Sequence, residues 1–422
     1  MYRDIEIYMK PFLSPYLCGF RKGFNTQYCL IAMIEKMKQA LDKNHHAAAL
    51  LTDLSKAFDC INHELIIAKL DAYGFSNSSL TYIYSYLTER KQRTKVNNTY
   101  SSWGTPDTGV PQGSIMGPPI FNIDINDLFY SLKDNNMANF ADDNTPHETG
   151  ECLECVLKCI EDDGQILLNW FNDNYYKMNP DKCHLLIPKK TGGEYVNIDG
   201  EIIENQASVK LLGLTMDNNL DFNDHVSKIC RKASSKLHAL TRVAHFIDGH
   251  KLRILMKAFI ESQFSYCPLI WMFHNRTMNK RINAIHERAL RIVYKDHESS
   301  FEQLLEKDNS FTTHEKNLQK LATEIYKVKN NLTPEFMRNI FIEIDHPYNL
   351  RNRVEFQTSN VHTVFCGTET ISFRGPKIWS IVQEEIKISL SLTEFKMKIK
   401  KWKPLGCVCR LCKNYIAQIG FI

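Results

Sequence analysis

Three carboxylates stand where they could do chemistry. Asp53 closes the apolar run Ala47-Ala-Ala-Leu-Leu-Thr, and Asp142 and Asp143 close the stub Asn139-Phe-Ala. A carboxylate at the end of a buried strand is costly to leave alone, and like charges gathered in a cleft raise each other's pKa unless a cation is present. Divalent magnesium meets that need. A pair of such ions ~3.5–4 Å apart clamps the attacking and leaving oxygens of an in-line phosphoryl transfer. Taken singly, each Asp is more often a turn former than a ligand. The acids lie far apart in the chain, so a sheet must bring one strand end beside a hairpin turn.

The surrounding pattern supplies those elements. Apolar residues recur at helical spacing over 28–43 and 62–73, the latter behind the cap-like Asn62, and residues 47–53 read as a buried strand. Lys91, Arg93 and Lys95 alternate with Gln92, Thr94 and Val96, which puts a row of cations on one side of a strand. The Gly/Pro-rich loop 107–117 leads into an apolar helix running toward Leu128, and residues 139–144 fit a tight hairpin. A helix is expected over 151–175, strands over 182–188 and 208–216, and an almost wholly helical stretch over 223–330. Residues 345–422 alternate short strand-like and helical stretches. No internal repeat stands out.

Composition sets the outer bounds. The chain has 422 residues, 43% of them hydrophobic and 24% charged, which excludes wholesale disorder and calls for more than one domain. The longest apolar runs, Pro11–Phe20 and Ser262–Phe273, fall short of the ~20 residues of a membrane span. The opening MYRDIEIYMK lacks the apolar segment of a secretory signal, so an intracellular protein of nucleus or cytoplasm, away from membranes, is expected. Thirteen cysteines, an odd number, argue against a disulfide framework. Residues 221–300 hold twice as many Lys and Arg as Asp and Glu, a balance suited either to a polyanion or to a solvated helix face.

In order along the chain stand Asp53-Leu-Ser-Lys-Ala-Phe-Asp59, Gly109-Val-Pro-Gln-Gly-Ser114 and Phe140-Ala-Asp-Asp143, followed by Asn179-Pro-Asp-Lys-Cys183 and Val209-Lys-Leu-Leu-Gly-Leu214. This ordered set resembles the palm of a reverse transcriptase, and specifically that of a non-LTR (LINE or jockey-like) retrotransposon. Phe273-His-Asn-Arg276, Ile285-His-Glu-Arg-Ala-Leu-Arg291 and Ser372-Phe-Arg-Gly-Pro-Lys-Ile-Trp379 are similar to the later regions of jockey-like elements. The Phe-Ala-Asp-Asp motif alone is a weak signal; the ordered series is strong.

The resemblance implies an α+β fold: a right-hand polymerase palm, an antiparallel sheet with helices, followed by a mainly helical thumb. The implied divisions are residual fingers over 1–46, palm with finger inserts over 47–220, thumb over 221–335 and a basic Cys-containing tail over 336–422. The implied activity is RNA-directed DNA polymerisation with two Mg²⁺ ions on Asp53, Asp142 and Asp143, the last as a secondary ligand. Leu54 would complete the metal shell through its carbonyl. Phe58 would wall off the sugar 2′ position, while Gln112 and Gly113 would meet the incoming nucleotide. Lys182 would sit at the leaving pyrophosphate, and Leu212 and Gly213 would grip the primer end. Lys91, Arg93 and Lys95 would follow nucleic-acid backbone. Partners would be an RNA template, a DNA primer and a dNTP, with an element-encoded endonuclease or RNA-binding protein as a further candidate.

Several features depart from the family pattern. The chain is expected to be an N-terminally truncated copy that opens within the fingers near Leu17–Gly23, without upstream finger strands or an endonuclease domain. Pro119, Asp124 and Pro146 look like damage to the supports of the site, since Pro deep in a helix costs ~3 kcal/mol and a buried lone acid is unfavourable. A catalytically inactive nucleic-acid-binding relic is therefore the alternative function. In the tail, Cys407, Cys409 and Cys412 have spacing that can share zinc, approached by Lys396, Lys398, Lys400, Lys401 and Lys403. A structural site wants four ligands, and the spare ones named by sequence, His346, His362 and Cys366, are distant, so the balance is against zinc.

Overall fold

The computed structural model describes residues 2–132, 136–190, 192–344, 355–407, 409, 411 and 412. Among them the strands are β1 (His46–Leu51), β2 (Lys95–Val96), β3 (Thr99–Tyr100), β4 (Met137–Phe140), β5 (Asp143–Gly150), β6 (His184–Leu186), β7 (Tyr195–Ile198), β8 (Glu201–Glu204), β9 (Ser208–Leu211) and β10 (Leu214–Asp217). The chain divides into two compact units. The first comprises 1–29 and 46–207, the second 30–45 and 208–422. Helix Thr26–Asp42 gives its residues from Leu30 onward to the second unit.

The first unit is built on a four-stranded antiparallel sheet in the order β4-β5-β1-β6. β1 lies inside it and is buried on both faces, which is why it reads as the unbroken apolar run Ala47–Leu51 rather than as an alternation. Helix Leu153–Asp173 lays Val156, Ile160, Leu167 and Phe171 inward at helical spacing. Val156 and Ile160 pack with Ala48 and Leu50 from β1, while Leu167 and Phe171 join a second cluster with Ile120, Phe121 and Tyr176.

The three suspected defects are accommodated. Helix Gly117–Ile125 starts at Gly117, so Pro118 and Pro119 occupy its first turn, where backbone N–H groups have no intrahelical acceptor to lose. The first such bond runs from Ile120 N–H to Met116 O at 3.2 Å. Asp124 is fully buried but paired: Lys69 Nζ lies 3.3 Å from one carboxylate oxygen and the Tyr176 hydroxyl donates to the other. Burial pushes its pKa up, and Lys69 and Tyr176 oppose that shift.

Pro146 sits in an interior strand, not at an edge. The N–H of His147 goes to Asn136 O on the β4 side, so by strand alternation the absent Pro146 donor faces β1. The β1–β5 ladder accordingly stops at Ala49↔His147 and resumes at Thr52↔Asn144 in the same register. One missing bond is absorbed by pairing on both sides of the gap.

In the second unit β9 and β10 form a two-residue hairpin, and helices Asn223–Val243, Gly249–Phe259, Arg276–Tyr294, Phe301–Asp308 and Thr313–Lys329 fill the stretch expected to be helical. Two acids of helix Thr26–Asp42 bind the C-terminal region. Glu35 accepts from the N–H groups of Ile371 and Ser372, capping helix Ile371–Ser380, and Asp42 accepts from those of His362 and Thr363. The strand-like reading of 345–422 is corrected. Residues 345–354 lie outside the described ones, and beyond them the elements are helical except for an isolated bridge at Phe356. Local β-propensity there is overridden by packing of helices Ile371–Ser380 and Leu392–Ile399 on Thr313–Lys329. No helix among the described residues is long and apolar enough to cross a membrane.

Because Asp124 is buried, Lys69→Met is expected to destabilise the chain by about 3–5 kcal/mol in urea denaturation, the cost of stranding one charge of a buried pair. The double replacement Lys69→Met with Asp124→Leu is expected to recover much of that loss.

Candidate active site

β1 ends at Leu51, and Thr52 carries its pairing one step further. The Thr52 N–H and hydroxyl both donate to the Asn144 carbonyl, at 3.1 and 2.9 Å. This bridge sets Asp53 beside the turn that joins β4 to β5, where Ala141 takes a positive φ of 58°. Two fully buried asparagines hold the turn from within. Asn139 Nδ2 donates to Ala141 O at 3.0 Å and to Asn144 Oδ1 at 2.8 Å, and Asn144 Nδ2 donates to Asp142 O at 3.1 Å. Sequence reading placed a tight hairpin over 139–144 without giving these two side chains a role, and they fix it. Gly19 approaches from outside, so close that a Cβ there would lie 2.5 Å from the Ala141 nitrogen.

The electrostatics follow from this placement. Asp143 is pushed up to about 6 by burial first, then by the carboxylates of Asp142 and Asp53. The three acids named from sequence thus converge. Lys182 joins them: Nζ stands 3.0 Å from Asp53 Oδ2, on a short 3₁₀ turn, Pro180–Lys182. That turn is held against the strand end because Asn179 N–H donates to the Asp53 carbonyl at 3.0 Å and Leu54 bridges to Met178.

The glycine-rich loop docks on the segment just after Asp53. Gly109 N–H donates to Ile61 O and Val110 N–H to Phe58 O, while the Gly109 carbonyl accepts from Arg90 and pairs with His63 Nε2. Gly109 has φ 78°, and a Cβ would lie 2.8–2.9 Å from the backbone of Phe58 and Asp59, so no other residue fits. The docking carries Gln112 to Asp59, whose carboxylate accepts from Nε2 at 3.1 Å, and leaves Gly113 in open space at φ 82°. Phe58 stacks on Phe121 with ring centroids 4.6 Å apart and meets Phe20 edge-on. Leu54 is buried.

The other residues named from sequence belong to other elements. Lys91, Arg93 and Lys95 are exposed on or beside the β2–β3 hairpin, with Arg93 over the rings of Tyr100 and Trp103 and Lys95 over Tyr100. The aromatic half of that surface went unread in the sequence. Leu212 and Gly213, both at positive φ, form the β9–β10 turn in the second unit, where the Tyr266 hydroxyl donates to Leu212 O at 2.6 Å. Cys407, Cys409 and Cys412 also belong to the second unit.

The profile of the family described as reverse transcriptase (RNA-dependent DNA polymerase) matches residues 1–216. The chain belongs to the reverse transcriptase family. The sheet, its backing helices and the β4–β5 hairpin are the palm of that α+β polymerase fold, and the family is one of nucleotidyltransferases that use RNA templates, nucleotide substrates and divalent metal. The probable RNA-directed DNA polymerase from transposon BS of Drosophila melanogaster is 25% identical over 289 residues, covering 65% of this chain and 32% of that protein. The polymerase from mobile element jockey of the same species is 24% identical, covering 52% and 25%. That from transposon X-element, also of Drosophila melanogaster, is 25% identical, covering 65% and 31%. The chain thus spans a third or less of each, and the likeness agrees with the non-LTR, jockey-like reading of its motifs. Apo telomerase from Candida tropicalis aligns with a TM-score of 0.42 at 10% identity, covering 79% of this chain and 55% of that one.

Asp143 binds its proton more tightly in the folded chain than in the unfolded one. From about pH 4 to about 6 the folded state therefore holds more protons, and stability falls as pH rises through that window. Denaturation in the presence of a chelator should show this decline, and Asp143→Asn should flatten it.

Proposed function

We propose that this chain is an RNA-directed DNA polymerase of a non-LTR retrotransposon, extending a primer 3′-hydroxyl by attack on the α-phosphate of a dNTP against an RNA template. The observation that carries the reading is the convergence of Asp53, Asp142 and Asp143 through the Thr52–Asn144 bridge. Three neighbouring carboxylates, one of them with its pKa raised by burial and then by the other two, form a donor set suited to hard divalent cations with oxygen ligands. Asp53 and Asp142 would hold two Mg²⁺ ions, with Asp143 as a secondary ligand. When bound, such ions stabilise the attacking and leaving oxygens as Lewis acids.

The chain's own groups do the remainder. Lys182 brings an ammonium to the edge of the acid cluster, where it neutralises Asp53 and stands ready for the charge that develops on a leaving pyrophosphate. Phe58 packs between Phe121 and Phe20, which suits a wall against a ribose 2′-hydroxyl. Gln112 and Gly113 line the docked loop on the nucleotide side, Gly113 leaving room for close approach. Arg93 and Lys95, stacked on aromatic rings, offer phosphate contacts without base reading. The β9–β10 turn would serve the primer end. The intact helix at Pro119, the paired Asp124 and the continuing strand at Pro146 support catalysis over the relic alternative.

Primer extension on an RNA template with Mg²⁺ tests the proposal. The chain should extend and Asp142→Ala should fall to background; salt-sensitive binding of the hybrid with no extension by either would leave only the nucleic-acid-binding alternative. Apparent Mg²⁺ affinity should rise with pH up to about 6, as Asp143 loses its proton, and then level off. Phe58→Val should raise incorporation of ribonucleotides relative to deoxyribonucleotides in the same assay.

A further inference from the structure

The tail cysteines meet a histidine that the sequence did not point to. His314 is the second residue of helix Thr313–Lys329, is buried, and lies far upstream of the Cys cluster in the chain. Its Nε2 stands 3.2 Å from Cys409 Sγ and 3.4 Å from Cys412 Sγ, and the two sulfurs are 3.5 Å apart. The donor atoms of His314, Cys407, Cys409 and Cys412 all lie within 4.8 Å of one another. We propose that these four residues form a structural zinc site that staples the C-terminal tail to helix Thr313–Lys329.

The geometry and the donor set agree. With Zn–S near 2.3 Å, tetrahedral coordination places neighbouring thiolates about 3.8 Å apart and a thiolate about 3.5 Å from an imidazole nitrogen. The three separations among His314, Cys409 and Cys412 need shifts of only a few tenths of an ångström to match, and Cys407 Sγ lies within 4.8 Å of the other three donors. Three thiolates and one imidazole form a closed Cys₃His set with no protein position left for substrate, which marks a structural ion rather than a catalytic one. The surroundings suit it: Cys407 and Cys409 are buried, and three thiolates on a dication leave one net negative charge beside a helix N-terminus. His314 turns Nε2 to the sulfurs, and its Nδ1 is buried with no hydrogen-bond partner among the described residues.

The spare ligands considered from sequence are thereby replaced. Cys366 and His362 are not in the cluster, and His346 lies outside the described residues. The site was illegible in the sequence because its fourth donor is brought in by tertiary packing alone. Metal-binding free energy would become folding free energy for the segment that supplies the ligands. The inference is independent of the polymerase reading, since it concerns other residues and another metal.

The test is metal analysis of the full chain purified under reducing conditions without chelator, followed by competition with a chelator. One zinc per chain is expected. Exchange with Co²⁺ should give thiolate-to-metal charge transfer and the visible d–d bands of a tetrahedral site. His314→Ala should weaken binding by more than the ~10–100-fold that losing an outer-shell partner costs. His314→Cys, a Cys₄ set, should restore it, which separates loss of a ligand from loss of fold. Zinc retained at unchanged affinity by His314→Ala would overturn the assignment. So would a metal-free chain whose Cys409 and Cys412 are joined in a disulfide.

Discussion

Three carboxylates repel one another, and the palm exists in this form because the sheet leaves them nowhere else to go. The decisive contact is a single bridge past the end of β1, where Thr52 donates both its N–H and its hydroxyl to the Asn144 carbonyl. With β1 apolar and buried on both faces, its register against β5 is held by how particular side chains pack, Ala48 and Leu50 with Val156 and Ile160, and by the Thr52 bridge rather than by a polar–apolar alternation. Asp53 is thus carried to Asp142 and Asp143 by the burial of residues that have no part in chemistry. The pKa of Asp143 is raised by its burial first and by that imposed proximity second.

The supports around the acids show how much irregularity such a frame absorbs. Pro146 removes one donor from an interior strand, yet pairing continues in register on both sides of it. Asp124 would loosen its helix if alone, but Lys69 and Tyr176 meet it inside the core. Pro119 costs nothing in a first turn. Each looks like damage when read along the chain. In three dimensions each is compensated by a partner or a position that a linear pattern does not display.

The second unit follows the same logic with different chemistry. Glu35 and Asp42 are one helix's acids, and their carboxylates cap backbone N–H groups more than three hundred residues later. At the other end of that region, three tail cysteines gather at His314. Both arrangements tie the C-terminal region to helices far from it in sequence, through polar groups that stay satisfied only if the packing is right.

The sequence by itself determined the acids, the order of the motifs around them, the family, the antiparallel palm and the helical stretch after residue 223. These are local signals: a strand ending on a carboxylate, glycines where backbones must approach, apolar residues at fixed periods. Only the tertiary structure decided which partners complete each group. Asn139 and Asn144 became the lock of the hairpin, Lys69 the counter-charge of Asp124, and His314 the companion of the cysteines. It also grouped residues 30–45 with the second unit and made the described elements after residue 355 helical. Those outcomes depend on contacts between distant segments, whose energy comes from burial and pairing in space, and no period or spacing along the chain encodes them.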